Sequence, residues 1–287
     1  MSDAAVGVIG GSGLYEMEGL TVAEERRIDT PFGEPSDPFV IGDVDGVRVA
    51  FLARHGAGHR TIPTDINYRA NLYGFKVLGV HTILSASAVG SMKLDYAPTD
   101  IVFPHQFIDR TRRRPDTFFG NGIVGHVAFA DPICASAALE MSDAGREAGA
   151  KVHAGGVYVC IEGPQFSTRA ESNLYRSWGV DVIGMTNVTE AKLAREAEIC
   201  YVTMALVTDY DCWHESGDVS VEQIMGYLRA NAAMAQKIIR MTIPRVAARV
   251  RDCACANALQ YALVTDPARI PAQTKHDLQP IIGRYIH

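Results

Sequence analysis

A short, nearly continuous apolar run at residues 199–207, ICYVTMALV, is the feature that most constrains the fold. Such a run favours a strand buried on both faces, and strands of this kind belong to sheets covered by helices. The run ends abruptly in Thr-Asp-Tyr-Asp at residues 208–211. Ligands in open sheets bind beyond the carboxyl ends of the strands, and buried carboxylates are costly without a partner. We therefore interpret Asp209 and Asp211 as ligand-binding residues rather than as a helix cap or an Asx turn.

The composition is that of a globular protein and argues against several classes of function. Of the 287 residues, 47% are hydrophobic and 21% are charged, which is enough to bury a large core. A net charge of −6 argues against nucleic-acid binding, and no apolar run is long enough to span a membrane. The first residues do not resemble a signal peptide, so we expect a cytoplasmic protein. Four arginines, at positions 110 and 112–114, are interpreted as a solvated or subunit-contact loop.

Metal binding has little support in the sequence. Six cysteines lie at positions 134, 160, 200, 212, 253 and 255, without a Cys-x-x-Cys pair, so we predict no metal site. Most are interpreted as small buried hydrophobic residues. A disulfide involving Cys253 and Cys255 is left open, although it would be unusual in the cytoplasm. His55 and His59 have a metal-like spacing, but the intervening glycines would destabilise the helix that such a motif needs.

Several predicted strands lead into residues that suit an anion. The segment 6–13 is predicted to be a strand followed by a glycine-rich turn containing Ser12; it matches neither the dinucleotide fingerprint nor the hydrolase elbow. A second strand ends at Arg54, whose planar fork suits phosphate. Ser87 follows a third strand, and Thr186 precedes a predicted helix N-terminus. We expect these four residues to share one edge of the sheet.

The order of the elements predicts an α/β fold. Thr168 with a glutamate three residues later forms a capping box, which predicts a helix from Arg169. Asn187 with Glu190 gives a second N-cap signal. We find no repeat or linker, and predict a mixed, largely parallel central β-sheet flanked by helices, in a single domain spanning residues 1–287.

With these segments in order, the sequence resembles the purine nucleoside phosphorylase superfamily, and specifically its trimeric 5′-methylthioadenosine phosphorylase branch. The resemblance covers residues 5 to about 245 and fades after about residue 250, so the C-terminal part is poorly matched. The segments that carry it are IGGSGL (9–14), TPFGEPSD (30–37), ARHG (53–56), FIDRT (107–111), IEGPQFSTRAES (161–172), GMT (184–186) and TDYDCW (208–213).

The resemblance implies a nucleoside phosphorylase-like fold, a homotrimer and a reaction. That reaction is the phosphate-dependent cleavage of the N-glycosidic bond of 5′-methylthioadenosine to adenine and 5-methylthioribose 1-phosphate, in purine and methionine salvage. Phosphate is a co-substrate, and no cofactor is implied. The implied residues are Ser12, Arg54, His55, Ser87, Ala88 and Thr186 for phosphate, Met185 for the ribose, Asp209 and Asp211 for the base, and Ser167 and Val221 for selectivity. The family often has threonine where this chain has Ser12 and Ser87, and serine keeps the hydroxyl.

Asp209 is the predicted catalytic residue, acting as a general acid toward purine N7. A free aspartate has a pKa of about 3.9, so this role requires burial or the neighbouring Asp211 to raise the pKa of Asp209. Two carboxylates favour adenine, because a 6-amino group needs an acceptor whereas a 6-oxo group needs a donor.

Four other functions are left as alternatives. The nearest is a 6-oxopurine nucleoside or methylthioinosine phosphorylase, which the two aspartates disfavour. A hydrolytic nucleosidase and a non-catalytic purine sensor do not need the phosphate ligands. A serine hydrolase built from Ser12, His55 and Asp209 has suitable residue types but lacks the nucleophile elbow.

Overall fold

A computed structural model describes residues 4–11, 14, 17–214 and 221–286. Within these residues, the strands form one sheet and the helices lie around it. The strands are β1 (Val6–Gly10), β2 (Leu20–Arg26), β3 (Phe39–Val44), β4 (Val47–Ala53), β5 (Thr82–Ser91), β6 (Ile101–Phe103), β7 (Gln106–Arg110), β8 (Val152–Ala154), β9 (Val157–Ile161), β10 (Val182–Gly184) and β11 (Cys200–Asp209). The helices are α1 (Tyr68–Val77), α2 (Ala135–Glu147), α3 (Arg169–Ser177), α4 (Asn187–Glu196), α5 (Val221–Ala248), α6 (Ala272–Asp277) and α7 (Gln279–Ile282).

The sheet is mixed and largely parallel, as the sequence predicts. Its main path runs β2-β3-β4-β1-β5-β10-β9-β7, and β11 leaves this path to pair with β5 and β6. Strands β1 and β11 pair with β5 in parallel, and β10 pairs with it antiparallel. Strand β5 therefore has three partners, and it connects the two ends of the candidate site described below.

The apolar run that opened the sequence analysis forms β11. All of its residues except the last, Asp209, are buried. Helices α2, α4 and α5 pack against this strand, which explains why it lacks the alternation of a half-exposed strand. The prediction of a doubly covered strand ending in Asp209 is confirmed.

Close backbone approach also shapes the core. Helix α1 packs against β3 at Gly74, where a Cβ atom would lie 2.5 Å from the ring of Phe39. Phe39 is fully buried and meets Phe75 edge to face, with ring centroids 5.0 Å apart. Among the residues that the structure describes, no helix combines the length and apolar character needed to cross a membrane.

Two predicted element boundaries are wrong. Ser87 was expected just after a strand, but β5 continues to Ser91 because its small residues pair with β11 along its length. Arg110 is predicted to lie in a loop, but it is the last residue of β7, which pairs with β9.

The two helix-start signals have different outcomes. Thr168 caps α3, and its capping box with Glu171 is complete, as predicted. Asn187 was expected to cap α4 but is its first helical residue; the N-cap is Thr186, whose side chain makes no capping bond. The side chains of Asn187 and Glu190 instead enter a buried polar network.

Candidate active site

A buried ion pair lies at the centre of the site. Arg54 directly follows β4 and is 2% exposed, and Glu190 on α4 is fully buried. The Arg54 Nε donates to one Glu190 oxygen, and Nη2 donates to the other at 3.1 Å. Burial alone would lower the pKa of Arg54, but the adjoining Glu190 carboxylate raises it. In this buried ion pair each group compensates the other's desolvation.

The remaining Arg54 donors leave little of the guanidinium free. Nη2 also donates to Ser85 Oγ at 2.7 Å, and Nη1 donates to the Ala86 carbonyl oxygen at 2.9 Å. Among the described residues, one Nη1 hydrogen lacks an acceptor. The sequence suggests that the planar fork of Arg54 binds phosphate, but in the structure this fork faces Glu190. An anion beside Ala86 would meet one N–H group rather than a bidentate clamp.

A polar network connects the ion pair to neighbouring elements. Ser87 Oγ donates to Asn187 Oδ1 at 2.6 Å, and Asn187 Nδ2 donates to Ser85 Oγ at 2.9 Å and to Tyr201 Oη at 2.8 Å. Tyr201 Oη donates to Glu190 Oε2 at 2.7 Å. Sequence reasoning missed this network, because Asn187 and Glu190 resembled a cap and Tyr201 resembled core. The available signal was the hydroxyl-bearing ring of Tyr201 inside a nearly continuous apolar run.

The structure brings the described phosphate candidates together. Ser87 and Ala88 lie half-buried on β5, and Thr186 is 5% exposed at the start of α4. The free N–H groups and dipole of a helix N-terminus favour an anion at this place. Ser12 lies outside the described residues, but β1 ends beside Arg54, whose N–H donates to the Gly10 carbonyl oxygen at 2.9 Å.

His55 is held as a neutral imidazole. Its Nδ1 lies 2.8 Å from the Thr61 carbonyl oxygen, which can only accept, so Nδ1 carries the hydrogen. Burial, aided by the nearby Arg54 charge, lowers the pKa of His55 to about 4. At neutral pH, Nε2 is therefore a hydrogen-bond acceptor. The ring stacks on His59 with centroids 4.1 Å apart.

At the other end of the site, a β-bulge turns Asp209 toward β5. The register between β11 and β5 shifts after Val207, and Asp209 pairs with Gly90. Asp209 Oδ1 accepts from the Asp211 N–H at 2.8 Å, and Oδ2 accepts from Thr208 Oγ1 at 2.7 Å. Burial raises the pKa of Asp209, the charge of Asp211 raises it further, and the two hydrogen bonds oppose this. The direction suits a general acid.

Asp211 and Ser167 form the second half of this end. Asp211 is 6% exposed and adopts a left-handed φ of 53°, which aspartate tolerates better than most residues. Ser167 Oγ donates to Asp211 Oδ2 at 3.1 Å. Because Ser167 immediately precedes the N-cap of α3, the capping box at Thr168 fixes the backbone that presents it. The structure thus brings this predicted selectivity residue to the predicted base-binding carboxylate.

Met185 directly precedes Thr186, the N-cap of α4. Its carbonyl oxygen accepts from Arg114 Nη1 at 2.5 Å, and Arg114 Nη2 donates to the Glu162 carbonyl oxygen at 2.7 Å. The Arg114 side chain is fully buried, so its interpretation as part of a solvated loop is wrong. Val221 is the first residue of α5, but its side chain lies outside what the structure describes.

Comparisons with known proteins relate this arrangement to described enzymes. A family model described as the phosphorylase superfamily matches residues 5–244. The S-methyl-5′-thioadenosine phosphorylase of Geobacter sulfurreducens is 61% identical, over 99% of this chain and 100% of the relative. A solved methylthioadenosine phosphorylase from an antarctic soil metagenomic library has a TM-score of 0.94 at 48% identity, covering 98% of this chain and 99% of that chain. A mutant of the Schistosoma mansoni adenosine/methylthioadenosine phosphorylase, in complex with methylthioadenosine, has a TM-score of 0.83 at 33% identity, covering 90% and 96%.

The fold should need a glycine at position 90, opposite Asp209, because a side chain there would collide with its neighbours. A Cβ atom at position 90 would lie 3.0 Å from both Asp209 Oδ1 and Ile183 Cγ2, so we expect Gly90→Ala to lower the free energy of unfolding by about 1–3 kcal/mol. Urea denaturation measures the loss. Gly226→Ala is the control, because its Cβ would meet no described atom within 4 Å. The double variant Gly90→Ala/Asp209→Ala should recover part of the loss, and strict additivity of the two changes would contradict the proposed clash.

Proposed function

This chain belongs to the phosphorylase superfamily, and on that premise we propose that it cleaves 5′-methylthioadenosine with phosphate. The products are adenine and 5-methylthioribose 1-phosphate, which feed purine and methionine salvage. The observation that carries the proposal is the two-ended arrangement around β5. An anion-binding set around Arg54 lies at one end, and the carboxylates of Asp209 and Asp211 lie at the other.

Positioning of phosphate supplies much of the proposed catalysis. Holding two reactants in the correct geometry can save about 7–11 kcal/mol of the barrier. Ser87 and Thr186 offer hydroxyl groups, α4 offers its N-terminus, and Arg54 offers one N–H group and a nearby positive charge. Ser12, His55 and Ala88 complete the proposed phosphate set. Since the Glu190 carboxylate neutralises much of the Arg54 charge, the hydroxyl and N–H groups become correspondingly important.

Leaving-group activation falls to Asp209. As the glycosidic bond breaks, negative charge develops on the purine, and a proton delivered to N7 neutralises it. The raised pKa of Asp209 increases the fraction of carboxyl that carries this proton. Asp211, held by Ser167, supplies a further acceptor for the 6-amino group of adenine. Met185 is proposed to pack against the ribose.

The structure disfavours two of the alternatives. The Asp211 carboxylate at the base end opposes a 6-oxopurine, because that group would meet an acceptor rather than a donor. A serine hydrolase would need His55 to be oriented by Asp209, but His55 Nδ1 donates to Thr61. A nucleosidase or a sensor would have no need for the hydroxyl groups gathered around Arg54.

We also propose that the chain works in the cytoplasm as a homotrimer. All six cysteines are free thiols, which fits a reducing compartment. Phe166, just before α3, and Leu174 and Trp178, in and just after it, are 52%, 47% and 45% exposed, and exposed large apolar side chains favour a subunit contact. A neighbouring subunit at this patch would cover the base end of the site.

Phosphate dependence tests the reaction directly. With phosphate, we expect rapid release of adenine from 5′-methylthioadenosine, slower cleavage of adenosine and the slowest cleavage of inosine. Without phosphate, adenine release should stop, because the anion is the nucleophile. Chromatography of the products measures both. Equal release without phosphate would show a hydrolase, and a preference for inosine would overturn the adenine assignment.

The role of Asp209 is tested by Asp209→Asn. The amide has nearly the same shape but cannot donate a carboxyl proton, so we expect kcat to fall by about 10²–10⁴-fold. In the unmodified enzyme, activity should be lost as pH rises through the raised pKa of Asp209, because the acid form is the active form. The variant should lack this alkaline limb. The matched change Asp211→Asn should keep the alkaline limb and mainly raise KM. If both changes had the same effect, the assignment of proton donation to Asp209 and base binding to Asp211 would be wrong.

Light scattering tests the oligomer. We expect a particle of three 31.1-kDa chains. Trp178→Lys should weaken its assembly, because a charge would be buried in an apolar contact, whereas Val22→Lys at a comparably exposed position on β2 should not. A monomeric or dimeric unmodified protein would refute the trimer.

A further inference from the structure

Four of the six cysteines meet at the opposite end of β11 from Asp209. Their sulfur atoms all lie within 4.8 Å of one another. Cys134 directly precedes α2, Cys200 is the first residue of β11, and Cys253 and Cys255 lie in the segment after α5. Three of the four are buried, and Cys253 is half-buried. In the part of the chain that the structure describes, this is the one assembled group of potential metal ligands.

We propose that these four cysteines bind one Zn²⁺ ion as a structural tetrathiolate site. Zinc–sulfur bonds of about 2.3 Å place the sulfur atoms of a tetrahedron about 3.8 Å apart. The sulfur atoms of Cys200 and Cys253 are 3.3 Å apart, and no pair exceeds 4.8 Å. Displacements of about one ångström or less would therefore produce the preferred geometry. Four thiolates without oxygen or nitrogen ligands select zinc over magnesium or calcium.

The site departs from the sequence prediction of no metal for a clear reason. That prediction rested on the missing Cys-x-x-Cys spacing, which describes ligands supplied by one local turn. Here only Cys253 and Cys255 are local to each other. Cys134 and Cys200 belong to different elements that only the fold brings together. Their separation in the sequence therefore matches no metal-binding motif.

The surrounding charges suit a tetrathiolate. Zinc with four thiolates carries a net charge of −2, and Arg249 lies beside it, with Nη2 3.7 Å from Cys200 Sγ and 3.8 Å from Cys134 Sγ. Within the described part of the chain, the buried Nε of Arg249 has no hydrogen-bond partner. The N-terminus of α2 lies next to Cys134, and helix N-termini stabilise thiolates.

Metal binding requires no oxidant. The zinc ion takes up four sulfur ligands, and each cysteine that begins as a thiol releases its proton to solvent, up to four in all. A pair of disulfides within the cluster is the competing chemistry. It would need an oxidant to accept four electrons, and the cysteines are free thiols in the structure.

The proposed site stabilises the fold and takes no part in catalysis. Strand β11 has ten residues, so its two ends are separated by about 30 Å. The zinc ion would join α2, β11 and the segment after α5, and so attach the C-terminal part of the chain to the core. Its loss should lower thermal stability while leaving kcat/KM at low temperature nearly unchanged. This inference is independent of the proposed reaction.

Zinc content tests the proposal. The untagged full chain is purified under reducing conditions, loaded with Zn²⁺, passed over a desalting column and analysed by mass spectrometry of the metal. We expect about one zinc per chain, and none in Cys253→Ser/Cys255→Ser. Cys160→Ala is the control, because Cys160 is buried elsewhere in the sheet and this variant should keep its zinc. Loading with Co²⁺ should give the d–d absorption of tetrahedral cobalt thiolate.

Three results would overturn the proposal. Denatured protein in which all six cysteines can be alkylated, but which fails to retain added Zn²⁺ when folded, would show that the cluster is only a group of buried thiols. Denatured, unreduced protein lighter by four hydrogens would show two disulfides. Zinc retained in the double serine variant would place the metal elsewhere. If that variant does not fold, titration of the unmodified apoprotein with Co²⁺ decides by its stoichiometry and spectrum.

Discussion

The ion pair between Arg54 and Glu190 is the interaction on which the site depends. It is buried at the meeting point of β4, β5 and α4, and either charge alone would be strongly unfavourable there. The pair therefore determines where α4 begins relative to β5. That relation in turn places Thr186 beside Ser87 and gives the helix N-terminus a fixed direction. Arg54, which the sequence suggests as a phosphate ligand, therefore mainly holds the other proposed ligands in position.

Strand β5 gives the two ends of the site a common reference. It carries Ser87 and Ala88 near the anion-binding set, and Gly90 opposite Asp209. The nucleophile and the leaving group of the proposed reaction are therefore positioned by one strand. Its three strand partners restrict its movement, which suits a reaction that depends on accurate placement.

The sequence predicted the main elements because their signals are local. The apolar run of β11 and the capping box at Thr168 depend on adjacent residues, and both predictions are confirmed. Asn187 and Glu190 show where this reasoning stops. Their spacing matches a cap, but their partners lie on β5 and β11, far away in the chain. The cysteine cluster was hidden for the same reason, since three separate segments form it. The family resemblance supplied residue roles that spacing alone could not.

The neutral His55 can distinguish one tetrahedral dianion from another. Its Nδ1 hydrogen is committed to Thr61, so Nε2 can only accept. Near neutral pH, inorganic phosphate carries a proton that it can donate to such a nitrogen, whereas sulfate of the same shape and charge carries none. Under the proposed function, recognition of the co-substrate then depends on the direction of a hydrogen bond rather than on charge or size. Arsenate, which is also protonated, would satisfy the same nitrogen.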